Sequence, residues 1–438
     1  MDAINRRNFL VRSGLAIGAA LLAAETPVPT AIAGSPPLKL DSWQAVREQF
    51  QLSRDFIHLA GFFLASHPTP VRAAIERHRR ELEVDPIGYW FEQEEKQEAA
   101  VLRAAADYLG VDPTEIALTD STTMGLGLLY GGLALREGQD ILTTVHDHYS
   151  TETSLRLSAE RTGATIRRIP LYESLKTVSR HELLGNLIRN IRPNTRVVAV
   201  TWVHSSTGLK LPIQEMAQAI RKLNESRAEP DRVIFCVDGV HALGVEDFRL
   251  SEVGCDFLVA GTHKWMFGPR GTGLVWGHQR AWPVANAIIP TFNTQAYDAW
   301  MGLSQPKDLP KSVYMTPGGF HSFEHRWALD EAFTFHQAIG KARVTQRIYE
   351  LNQQMKGGLA KMPHVTLHTP MSQDLSAGII CFEVAGMTPR QVIEQLRHRK
   401  IIGSVTPYAT QYARLAPSLL TVTTDIEQAL EEILRLRI

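Results

Sequence analysis

At 438 residues the chain is too long for one ordinary hydrophobic core and suits two domains. Hydrophobic residues make up 44% and charged residues 21%, the balance of a soluble globular enzyme. The formal net charge of zero excludes an electrostatic footprint for nucleic acid or an anionic membrane, and leaves small molecules and a second copy of the chain as expected partners.

The chain begins with a charged stretch at 5–11 (NRRNFLV), an apolar run at 15–24, and Ala31-Ile32-Ala33 ahead of Gly34. That is the layout of a secretory signal. Ten apolar residues are too few to span a bilayer, so no stable membrane anchor is expected. Arg6-Arg7 followed by Phe9-Leu10 resembles the twin-arginine signal, although Asn5 and Val11 depart from its usual Ser/Thr and Lys. Residues 1–33 are therefore read as a leader addressed to the twin-arginine export machinery and the periplasm. Its removal leaves 43 basic and 44 acidic side chains.

Residues 34–69 are expected to pack near a second domain or the mouth of the active site. Between 70 and 290, short apolar runs alternate with helical periodicity. Candidate strands are 116–119, 140–144, 165–170, 197–203, 233–238, 256–261 and 273–277, with amphipathic stretches such as 212–226 between them. The alternation predicts an α/β domain with a mostly parallel sheet covered by helices. The run 291–325, rich in Pro, Gly and aromatics, reads as loops that open a second unit, 291–438. That unit has a strand near 378–384, a helix opening at Thr388-Pro389, and a last helix from Thr424 with Glu427 completing a capping box. Cys236, Cys255 and Cys381 lie in apolar runs, are odd in number and fit no metal spacing, so they read as core residues and no metal site is expected.

Four segments carry candidate chemistry. In Gly261-Thr262-His263-Lys264-Trp265 a lysine follows a core strand, where its charge is costly to bury. A lysine that forms an imine with a carbonyl cofactor resolves that cost; the plainer reading is a surface loop lysine. Asp238, in Cys236-Val237-Asp238-Gly239-Val240-His241, ends an apolar strand, where open α/β sheets bind ligands. It could pair with a pyridinium nitrogen or simply cap a helix; His241 could bond a cofactor oxygen or simply pack. Ser121-Thr122-Thr123 open a helical run and suit a phosphate, or ordinary capping. His148, in Asp147-His148-Tyr149-Ser150, could lie over an aromatic ring or be structural.

No one segment decides the matter, but their order does. Phosphate loop, histidine, a strand leading to Ser205-Ser206-Thr207-Gly208, Asp-Gly-x-His and His-Lys together resemble the class V aminotransferase family over about residues 55 to 435. The resemblance implies a pyridoxal 5′-phosphate (PLP) enzyme of fold type I: a large domain with a mostly parallel seven-stranded sheet, a smaller α+β C-terminal domain, and a homodimer. It implies Lys264 as the PLP lysine, Asp238 as the pyridinium partner, and His148 as the ring-stacking histidine. Ser121, Thr122, Thr123 and His263 fall at the phosphate. Ser205 stands where many members carry asparagine near the phenolic oxygen, His241 where desulfurases carry glutamine, and Arg414 at the arginine that grips a substrate α-carboxylate. One departure is Gly318-Gly319-Phe320-His321-Ser322, where many members have Gly-Thr in a loop lent to the partner's phosphate; Phe320 or His321 is expected to face substrate instead.

Within the family, cysteine desulfurases need a mobile nucleophilic cysteine, and no cysteine lies between 256 and 380 or beside Arg414. Tyr89-Trp90-Phe91 after Asp85-Pro86 is more similar to the isopenicillin N epimerase-like branch, which spans transaminases, epimerases and C–S lyases. With the leader added, the chain resembles periplasmic PLP enzymes that tailor the acyl side chain of pyoverdine siderophores. The substrate implied is a small-molecule or peptide amine. The competing reading, an exported binding module on the same scaffold, leaves Lys264, Asp238 and His148 without a chemical purpose.

Overall fold

The computed structural model describes residues 39–305 and 309–436. The expected leader therefore lies outside the described residues. A short strand, β1 (Ile57–His58), precedes seven strands that form one sheet: β2 (Ile116–Thr119), β3 (Asp140–Thr144), β4 (Thr165–Ile169), β5 (Thr195–Thr201), β6 (Ile234–Asp238), β7 (Phe257–Gly261) and β8 (Gly273–Gly277). Their order is β2-β8-β7-β6-β5-β3-β4. Only β8 runs against the rest, because it is antiparallel to both β7 and β2.

The sequence dictates this arrangement through alternation on strands buried on both faces. Val198 and Val200 of β5, Phe235 and Val237 of β6, and Leu258 and Ala260 of β7 enter one core. Their neighbours Val197 and Ala199, Ile234 and Cys236, and Phe257 and Val259 enter the core on the other face. Helices cover both faces, so these strands read as continuous apolar runs. The edge strand β4 is the exception, with an exposed and half-buried pattern. Its Arg167 pairs with the buried Asp140 on the neighbouring β3 at 2.7 Å, and charge on an edge discourages pairing with another chain. All three cysteines are free and buried, with their thiol pKa values raised by burial, as core residues should be.

A second sheet, antiparallel, is built from β9 (Val365–Leu367), β10 (Ile380–Val384), β12 (Ser404–Val405) and β13 (Ala413–Leu415) in the order β12-β13-β10-β9. β11 (Ile401–Ile402) pairs in parallel with β1, which ties the N-terminal segment to this unit. Leu59 joins the same small core, and its carbonyl accepts the Ala416 N–H.

Two expectations need correction. The run 291–325 is not all loop, since short helices cover Thr294–Trp300, Lys311–Met315 and Phe323–Trp327. Each is seven residues or fewer, too short to display the periodicity that reveals a helix in sequence. The last helix starts at Thr423, not Thr424, and the side chain that caps it is Asp425, whose carboxylate accepts the Val422 N–H at 2.9 Å. Glu427 has no such role. The helix Pro389–His398 does open as expected, with a Thr388–Gln391 capping box.

Candidate active site

The strand directions concentrate the functional side chains at one edge of the sheet. β2, β3, β5, β6 and β7 run the same way, so the segments leaving their C-terminal ends gather together, the usual ligand position in open α/β sheets. Ser121, Thr122 and Thr123 follow β2, and His148 follows β3. Ser205 follows β5, Asp238 and His241 close β6, and His263 and Lys264 follow β7. All nine line one cavity of about 410 Å³, and Arg414, carried by β13, lines it too.

The anion end of the cavity is a helix N-terminus. Ser121 caps the helix Thr122–Gly132 by accepting the Met124 N–H at 3.1 Å. The Thr122 hydroxyl accepts the Gly261 N–H at 2.8 Å, which locks the helix start to the end of β7. A helix start with hydroxyls beside it favours a phosphate. His263 contributes a buried Nδ1 without a hydrogen-bond partner among the described residues, as expected of a group awaiting a ligand.

His148 stands at the N-cap of the helix Tyr149–Thr162, where its Nδ1 accepts the Ser150 N–H at 3.2 Å. The structural reading of this histidine therefore holds, and its ring also lines the Lys264 cavity. Ser150 Oγ also meets Thr123 Oγ1 at 2.9 Å, coupling the histidine to the phosphate-type loop. Behind it, Asp147 accepts bonds from Thr143, Thr144 and the Thr201 N–H, which fastens β3 to β5 below the cavity.

Asp238 is 2% exposed. Its Oδ1 accepts the Val240 N–H at 3.1 Å within a turn, so it is not the cap of a helix. Burial raises its pKa to about 6; the Val240 N–H and the charge of Lys264 oppose that rise. Lys264 is pushed down to about 8, first by burial, against the attraction of Asp238. The near contact of Lys264 Nζ is His241 Nε2 at 3.5 Å. His241 Nδ1 accepts the indole N–H of Trp265 at 3.3 Å. An indole can only donate, so Nδ1 must be bare, and burial keeps the ring neutral. The imidazole proton is thereby fixed on Nε2, aimed at Lys264.

Arg414 is held from three sides. Its Nη1 donates to the Ser205 carbonyl at 2.8 Å, its Nε donates to Ser404 Oγ at 3.1 Å, and its guanidinium lies 4.5 Å over the Phe62 ring. Nη2 has no protein partner among the described residues and is available to a carboxylate. Together these groups fit PLP. The helix start suits its phosphate, Asp238 needs a cation such as a protonated ring nitrogen, and Lys264 has the lowered pKa of an amine that attacks a carbonyl.

Phe320 and His321 do not line the Lys264 cavity of their own chain. Phe320 is 81% exposed with its ring 6.0 Å from that of Trp90. His321 lines a separate cavity of about 340 Å³ with Gly318, Gly319 and Arg326. Conversely, sequence reasoning missed Phe62, Ser150 and Pro407, which line the Lys264 cavity, and Tyr408, which bonds Ser205 Oγ. Ser150 sat within a segment already singled out; nothing in the sequence marked the others.

The model of the family "Aminotransferase class-V" matches residues 91–405. The chain is 27% identical over 352 residues to isopenicillin N epimerase of Streptomyces clavuligerus, covering 78% of this chain and 84% of that protein. It is 27% identical to a probable cysteine desulfurase of Halalkalibacterium halodurans, over 64% of each. Among solved structures, a C-DES mutant with glycine covalently linked to its PLP cofactor superposes with a TM-score of 0.79 at 21% identity, over 89% of this chain and 99% of that one. The cysteine desulfurase of Thermococcus onnurineus gives 0.74 at 17% identity, over 89% and 96%. These structural likenesses bear on the fold alone.

Proposed function

The chain belongs to the class-V aminotransferase family, and from that premise we propose that it is a PLP enzyme acting on the amino group of a carboxylate-bearing substrate. The observation that carries this reading is the convergence of Lys264, Asp238 and Arg414 on one cavity. The start of the helix at Thr122, with Ser121, Thr123 and His263, would hold the phosphate. When bound, PLP supplies an electron-withdrawing ring that takes up the electron pair of a bond broken at the substrate α-carbon. The Asp238 carboxylate stabilises positive charge on the ring nitrogen, and Arg414 orients the substrate carboxylate, which selects the bond that breaks. The Lys264 amine then removes or returns a proton at that carbon, helped by a pKa close to neutrality.

The reaction we propose is transamination, with or without loss of CO₂; proton loss at the α-carbon serves epimerisation equally, and epimerisation or C–S cleavage is the alternative within the family. We also propose that the enzyme works in the periplasm as a homodimer, tailoring a siderophore or another secondary metabolite. Support for this comes from the Arg6-Arg7 leader and from the loop at 316–322, whose Phe320 is bare in the single chain.

The test of the central reading is spectroscopic and kinetic. Purified protein mixed with PLP should develop a visible absorption band and transfer amine from an amino acid to a 2-oxo acid. Arg414→Ala should raise KM steeply for substrates with a free α-carboxylate. An unchanged KM would remove Arg414 from substrate binding, and a colourless, inactive mixture would remove the PLP reading. Export is tested separately: Arg6→Lys with Arg7→Lys should leave a folded, yellow protein in the cytoplasm.

A further inference from the structure

Tyr408 lies on the connection between β12 and β13, with its Oη 2.7 Å from Ser205 Oγ. The two residues are 203 positions apart, and each belongs to a different sheet's loops. The connection is fixed at its base: the Thr406 N–H donates to the Tyr412 carbonyl at 3.0 Å, and the Tyr412 N–H donates to Thr406 Oγ1 at 2.9 Å. Tyr412 stacks on His368 at 3.9 Å. Ser205 is also held through its main chain, because its carbonyl accepts from Arg414 Nη1. Ser205 is therefore gripped at its carbonyl by Arg414 of β13 and at its hydroxyl by Tyr408 of the connection that leads into β13.

The direction of the Tyr408–Ser205 bond follows from acidity. A phenol is a stronger acid than an alcohol, so the phenol donates and the serine oxygen accepts. Burial, the largest influence on Tyr408, raises its pKa to about 12 and keeps that proton in place. With its oxygen occupied as acceptor, Ser205 keeps its own hydroxyl hydrogen free. Tyr408 Oη is the one hydrogen-bond partner of Ser205 Oγ among the described residues, and Ser205 lines the Lys264 cavity. That hydrogen must find its acceptor in whatever fills the cavity.

We propose that Tyr408 is a positioning residue that fixes the Ser205 hydroxyl as a hydrogen-bond donor into the Lys264 cavity, toward an anionic oxygen of the bound cofactor. The proposal rests on the PLP reading above. Ser205 alone would be a rotor able to donate or accept; with Tyr408 it acts as a one-way donor, doing with two hydroxyls what an amide N–H does by itself. A donor of this kind stabilises negative charge on the oxygen it faces. It therefore lowers the affinity of the cofactor–lysine unit for its shared proton. The charged and titratable groups facing this point are Asp147 and His148 after β3, Asp238 and His241 at β6, His263 and Lys264 after β7, and Arg414 of β13. Tyr408→Phe alters none of them.

The test is a pH titration of the visible band of the PLP-loaded protein, which requires no turnover. Tyr408→Phe should move the midpoint upward by about 0.5 pH unit, the size expected from losing one neutral hydrogen bond. Ser205→Ala should move it upward at least as far. The double variant should titrate as Ser205→Ala does, because Tyr408 acts only through the serine. The proposal is overturned if Tyr408→Phe titrates as wild type, or if its effect persists in full without the serine hydroxyl. Either result, obtained with a wild-type band that Lys264→Ala abolishes, leaves the PLP reading standing. A wild-type protein that forms no visible band overturns both.

Discussion

Two lysines among the described residues, the half-buried Lys264 and the buried Lys356, have pKa values lowered to about 8, and they are chemical opposites. Lys356, on the helix Lys341–Leu359, is 1% exposed and pushed down to about 8, mainly by burial. Its ammonium donates to the carbonyls of Pro370 and Met371 and to Ser376 Oγ at 2.9, 3.1 and 2.7 Å, so all three of its hydrogens are satisfied. Lys264 is lowered to the same range by the same cause, yet has only a long contact to His241 Nε2 and no salt bridge among the described residues. Desolvation alone therefore does not mark a reactive lysine. What separates the two is that one has spent its donors on the protein, while the other faces a cavity beside an under-partnered carboxylate, Asp238.

The sharpest way to break this comparison is to delete each amine. Lys264→Ala should abolish the visible band and lower turnover by about 10⁴-fold, the upper range for losing a general acid–base. Lys356→Met should keep the band and the turnover but lose about 2 to 3 kcal/mol in denaturant unfolding, because the carbonyls of Pro370 and Met371 lose their donor and Ser376 Oγ keeps only its bond to the Ser372 carbonyl. If Lys356→Met bleached the protein, or Lys264→Ala stayed yellow and active, the contrast would be wrong.

Asp238→Asn is the next largest effect expected. Losing the charge beside the ring nitrogen should slow turnover by about 10² to 10³-fold and weaken PLP binding. Near-normal rates would reduce Asp238 to its turn bond with Val240. The pH dependence of cofactor capture is smaller. A folded pKa of about 8, below the ordinary lysine value, means the neutral, nucleophilic amine of Lys264 grows as pH rises through 8. The rate of band formation by the apoprotein should thus rise about tenfold from pH 7 to pH 9 and then level off, in stopped-flow mixing. A rate still climbing toward pH 10.5 would show that burial does not perturb this amine. The smallest effect is that of Trp265→Phe. Without the indole donor, His241 can place its proton on either nitrogen, and PLP affinity should fall about fivefold, with altered imidazole nitrogen chemical shifts. Unchanged affinity and shifts would reduce Trp265 to a packing residue.

Where a candidate residue depended on its place along a strand, its position at a strand end was legible in the sequence, while the role proposed for it came from the order of motifs in the family. Lys264, Asp238, His148 and the Ser121–Thr123 turn each follow an apolar run, and a parallel sheet brings such strand ends to one edge whatever else the fold does. The seven strands were legible for the same reason, with boundaries shifted by one or two residues where Trp202, Val203 and Pro170 turned out to lie past the ladders. The cores, the free cysteines and the capping box at Thr388 likewise follow from local pattern. Arg414 was found only through the order of motifs in a known family, not from its own surroundings. The tertiary structure alone decided that Tyr408 would meet Ser205 across 203 residues, that Phe62 would lie under Arg414, and that Trp265 would set the proton on His241. It also separated Phe320 and His321 from the cavity of their own chain. Periodicity records which face of an element is buried, and it is written in neighbouring residues. Which loops of two sheets touch is set by how whole cores pack, and no short stretch of sequence carries that information.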